Sequence, residues 1–96
     1  MLNANEIFNR VYEGAVNFMT PEIIERGKLD KFSAYELSRG KDFSGNYMWG
    51  VTVCSYIPET DEKIRYRNIS RCFFNRSEAL EYIDYLKENF HELKYE

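Results

Sequence analysis

Ninety-six residues with a 44% apolar content make one domain with a real core and leave no room for a second. A net charge of −3 alone says only that the chain is expected to be soluble, and two cysteines are too few for a disulfide scaffold. No apolar run approaches the ~18 residues that would cross a bilayer. The first five residues carry neither the basic nor the apolar part of a secretory signal, so the expectation is a cytoplasmic protein with no membrane partner.

The charge is unevenly spread. Residues 1–27 hold a net of −2, residues 28–76 a net of +3, and residues 77–96 a net of −4. Acidic ends around a basic middle bear on partners rather than on fold.

The chain opens with a helical pattern. Asn3 or Asn5 can cap it, Glu6 suits its first turn, and Ala4, Phe8, Val11, Ala15 and Phe18 recur at helical spacing. Gly14 weakens that helix by about 1 kcal/mol. Thr20, Pro21 and Glu22 then have the order of an N-cap, an N1 proline and a first-turn acid, which predicts a second, short helix. Ile23 and Ile24 would form its buried side, and Gly27 its C-terminal stop.

Three strands are expected next. Residues 32–39 form the first; Gly45-Asn46 is hairpin-turn chemistry; residues 47–57 form the second. In the second, Trp49, Val51, Val53, Ser55 and Ile57 alternate with Thr52, Cys54 and Tyr56. After a turn at Pro58, residues 63–74 make the third, with Ile64 and Tyr66 on one face and Lys63, Arg65 and Arg67 on the other. Matching the apolar faces places Ile57 opposite Ile64, Tyr56 opposite Arg65 and Cys54 opposite Arg67. Unbroken pairing would bury Asn68, so a bulge or strand end is predicted near residues 68–70.

The last element is a helix over residues 77–90. Asn75 or Ser77 caps it, and Ala79, Ile83, Leu86 and Phe90 form its apolar stripe. The fold expected is α+β over residues 1–96: a three-stranded antiparallel meander with N- and C-terminal helices on one face, in the order α-α-β-β-β-α. The other sheet face would then be open to solvent.

No arrangement of reactive residues emerges. Cys54, Cys72 and His91 are the only thiols and imidazole, and nothing in their spacing brings them together. They do not make a zinc site, and no acidic loop has calcium-ligand spacing. Residues 40–45 lack the spacing of a phosphate loop. The expectation is therefore a protein without catalytic residues, metal or cofactor. It would act by protein–protein contact, with itself as a homodimer or with a partner, through the open sheet face or an edge.

Thr52, Tyr56, Arg65 and Arg67 are the binding residues this reading assigns to that face, with Arg39, Lys41, Arg71 and Arg76 nearby. Basic residues beside an aromatic also suit single-stranded nucleic acid, which is the first alternative. The second is an acidic phosphate mimic, an inhibitor of a nucleic-acid-handling protein of the kind mobile elements encode. It would use Glu78, Glu81, Asp84 and Glu88, residues that equally make an ordinary solvated helix face.

Overall fold

A computed structural model describes residues 3–13, 22–42 and 44–94. The elements run α1 (Ala4–Glu13), β1 (Glu22–Asp30), β2 (Ser33–Lys41), β3 (Tyr47–Ile57), β4 (Glu62–Arg65), β5 (Arg71–Phe73) and α2 (Arg76–Leu93). The strands form one antiparallel sheet in the order β1-β2-β3-β4, and β5 pairs with β3 beside β4. The class is α+β as expected, with five strands instead of three.

The first added strand is β1, where a short helix was predicted. Ile23 and Ile24 are adjacent and β-branched, which suits extended backbone better than one helix face. Gly27 does not stop a helix. It lies opposite Tyr35, and a Cβ on Gly27 would sit 2.3 Å from the Tyr35 ring. Tyr35 is buried, so the glycine makes room for a core ring to fold over the edge strand. Thr20, Pro21, Gly14, Ala15 and Phe18 lie outside the described residues.

The second added strand comes from a division. Expected strand 63–74 breaks at residues 67–69, as the burial conflict at Asn68 predicted, into β4 and β5. Ser70 carries the ladder across the break. Its Oγ accepts from the Val53 N–H at 3.0 Å and donates to the Tyr66 carbonyl at 2.7 Å. The turn lets Ile69, not Asn68, enter the core.

The β3–β4 register differs from the predicted one by two residues. Cys54 pairs with Arg65 and Tyr56 with Lys63. A shift of two preserves which face each side chain occupies, so the two alternating sets stay intact. The wide turn at residues 58–61 absorbs the difference, helped by Asp61 in the left-handed region at φ 54°.

The helices do not share a face. Ala79, Ile83, Leu86, Phe90 and Leu93 of α2 pack with Tyr35, Leu37, Val51 and Val53. Ile7 and Val11 of α1 pack with Ala34, Cys54 and Tyr56, the alternate positions on the same strands. The sheet is thus sandwiched where both helices reach. α2 starts as predicted, with Asn75 Oδ1 accepting from the Glu78 N–H at 2.9 Å. At its other end Lys94 Nζ lies 3.2 Å from Asp30. α1 is capped by Asn3, whose Oδ1 accepts from the Glu6 N–H.

Two polar groupings sit inside these layers. Glu36, buried, is held by Arg26 Nε at 2.8 Å. The hydroxyls of Ser33 and Ser55, both buried, are bonded to each other, and Ser55 also donates to the Tyr66 hydroxyl at 3.0 Å. No helix among the described residues is long and apolar enough to cross a membrane.

Candidate functional site

The residues assigned to an open sheet face are not gathered on one. Tyr56 is buried under α1, only 4% exposed, and its hydroxyl donates to Asp61 Oδ1 at 2.7 Å. That hydrogen bond holds the Asp61 carboxyl below its usual range. Arg65 is half-buried opposite Cys54, Thr52 is half-buried opposite Glu36, and Arg67 is exposed in the turn after β4. The premise of an uncovered face fails because α1 lies on it. Alternation alone could not show this, since Cys54 and Tyr56 tolerate either environment.

Reactive chemistry finds no support in the thiols. Burial pushes Cys54 up to about 11, with Arg65 opposing only in part, so a thiolate is suppressed at neutral pH. Cys72 and His91 are exposed. Among the described residues no three His, Cys, Asp or Glu side chains cluster as a metal would require. Glu78, Glu81, Asp84 and Glu88 are all exposed on the outer side of α2.

A different surface is assembled on the α2 face, beyond the helix start. Strand pairing sets Arg39 opposite Trp49, Lys41 opposite Tyr47, and Trp49 opposite Phe73. Directly paired residues share a face, so all five project together. Arg39 Cζ lies 4.9 Å from the Tyr47 ring centre and 5.6 Å from that of Trp49. Lys41 Nζ lies 5.2 Å from Tyr47, and Arg76 Cζ, from the first turn of α2, lies 5.9 Å from Trp49. Each distance is within cation–π range.

The cluster continues along α2. Arg71 Cζ lies 5.4 Å from the Tyr82 ring, Phe73 packs on Tyr82 at 5.4 Å, and the Tyr82 hydroxyl donates to the Ile69 carbonyl at 2.6 Å. Burial raises the Tyr82 phenol above its usual value, with the Arg71 charge opposing, so it stays protonated. Tyr47 is half exposed, and Glu22 at 2.5 Å pairs with Arg39 from the side. Phe74, next along the chain, is 74% exposed.

The sequence pattern places Arg39, Lys41, Arg71 and Arg76 near the expected open face but Trp49 with the core, and it gives Tyr47 no part in that face. The available signal was parity. Tyr47 and Trp49 share the side of Val51 and Val53, and this eleven-residue strand is longer than the stretch α2 covers. No family model, no curated protein and no solved structure matches this chain.

Proposed function

We propose that this chain is a non-catalytic binding module that takes single-stranded nucleic acid on the face formed by Arg39, Lys41, Tyr47, Trp49 and Arg76. The supporting observation is the placement of three cations, two from the sheet and Arg76 from α2, beside the exposed Tyr47 ring and the partly buried Trp49 ring. Guanidinium and ammonium groups can follow phosphates while indole and phenol rings stack bases. Glu22 pairs with Arg39 at the margin of this face, and the carboxylates of Glu81, Asp84 and Glu88 are exposed further along α2.

The test is a titration with a labelled oligonucleotide of about 15 residues. Trp49 is the only tryptophan, so its emission reports on the site directly. Binding is expected to quench Trp49 and to weaken with salt, with a slope near −2 for about three neutralised phosphates. The pair Arg39→Glu and Lys41→Glu should remove it. Binding that these changes leave intact, or none at low salt, refutes the reading.

A second reading is docking of a protein partner or a second copy along β1. Glu22 through Arg26 are exposed, Ile23 at 42% and Ile24 at 36%, on a strand at the end of the sheet order. Main-chain pairing with an added strand suits such an edge. A mass measurement in solution, repeated on Ile24→Lys, separates a dimer from a monomer.

A further inference from the structure

At the opposite end of the sheet, α1 and the last residues of β1 enclose a groove of about 400 Å³. Its apolar wall is Ala4, Ile7 and Phe8 from the helix; Leu29 borders it from the strand but packs against the Tyr35 cluster of the α2 face. Lys28 and Lys31 stand at the same groove, and Lys28 Nζ lies 4.5 Å from the Phe8 ring centre. Residues 28–31 all border it, yet the consecutive residues Leu29 and Asp30 both turn to the α2 side, Leu29 to the Tyr35 cluster and Asp30 to Lys94. The irregularity in pairing between Lys28 and Asp30 explains this.

The charge there is one-sided. Asp30 is the single acid of the lining, and its carboxylate already accepts from the Phe32 N–H at 2.9 Å and from Lys94 at 3.2 Å. The two lysines therefore set the sign. The volume falls in the range of small-ligand sites, and an apolar wall beside cationic groups selects an apolar body with an anionic head.

We propose that this groove binds an aliphatic carboxylate, its chain against Ala4, Ile7 and Phe8 and its carboxylate at Lys28 and Lys31. The ligand is held by burial of the chain and by charge-assisted hydrogen bonds. The site is independent of the nucleic-acid face. Lys31 and Lys41 are ten residues apart, so about 30 Å of extended chain separates the two surfaces.

The experiment is a titration of the isotope-labelled protein with decanoate, below its aggregation concentration, followed by amide chemical shifts. Saturable shifts are expected at residues 4–8 and 28–31. Decanol, the neutral analogue, should bind about tenfold more weakly, as should decanoate to the variant Lys28→Gln with Lys31→Gln. Ala4→Tyr, at an exposed position, should block the groove without touching the core. Equal binding of decanol, indifference to the lysine changes, or shifts centred on the Trp49 face would each overturn the proposal. Oligonucleotide binding at Trp49 should be unchanged in both variants, so the two ideas fail or survive separately.

Discussion

The two ends of the sheet are made of the same strands and live in different environments. Near the β1–β2 turn, Ala34, Cys54 and Tyr56 are covered by α1, while Tyr35 and Val53 are covered from the other side by α2. At the far end Tyr47, Trp49 and Arg39 follow the same alternation but are only partly covered. The difference is one of reach. Eleven residues of β3 span about 36 Å, against about 27 Å for the eighteen of α2 and about 15 Å for the ten of α1. Strands that outrun their helices leave side chains of core type on the surface. The cations there stack on rings that would otherwise face only water.

The sharpest way to break this contrast is to remove one ring from each end. Phe90→Ala, in the covered layer, should cost about 3–5 kcal/mol in urea unfolding. Tyr47→Ala, half exposed, should cost about 0.5 kcal/mol or less. Comparable losses would mean that the far end is a structural core and not a surface for binding.

Thiol chemistry gives a second contrast. At pH near 8, Cys72 should react with a thiol reagent promptly, and Cys54 about a hundredfold more slowly or only on unfolding. Two equally fast thiols would show that α1 does not stay on the sheet.

The smallest expected effect concerns Asp30. Burial raises its carboxyl, but the Phe32 N–H, the Ser33 hydroxyl and Lys94 together outweigh that and leave it below its usual value. A lowered folded value contributes stability above the unfolded value of about 3.9, and that contribution is lost as pH falls through the folded one. Asp30→Asn should therefore cost less than about 1 kcal/mol near neutrality, with solvent screening included, and progressively less as the pH falls through the folded value. A gap that persists in acid would mean that packing, not charge, is what the asparagine disturbs.

Much of the scaffold could be read from residue order because local and global signals agree there. Val51, Val53, Ser55 and Ile57 alternate in β3 with Thr52, Cys54 and Tyr56, Asn75 stands three residues before Glu78, and the α2 stripe recurs without a break. The break near Asn68 followed from a single burial conflict. β1 could not be read, because exposed side chains on both faces leave no alternation, while Thr20, Pro21 and Glu22 imitate a helix start. The side chosen by α1 was hidden for another reason. Ala34, Cys54 and Tyr56 carry little apolar weight, so the second buried face looked polar. The cation–aromatic face depends on which strands become neighbours, and Phe73 reaches Trp49 only after the chain has turned at residues 67–69.

Gly27 gives that outermost strand an unusual attachment. β1 offers few side chains to the interior, yet its position is fixed by an absence, the missing side chain whose place the Tyr35 ring takes. Any larger residue would pry the ring from its seat and loosen the margin of the sheet. The most weathered edge of the molecule is thereby keyed to its centre through the smallest residue it contains.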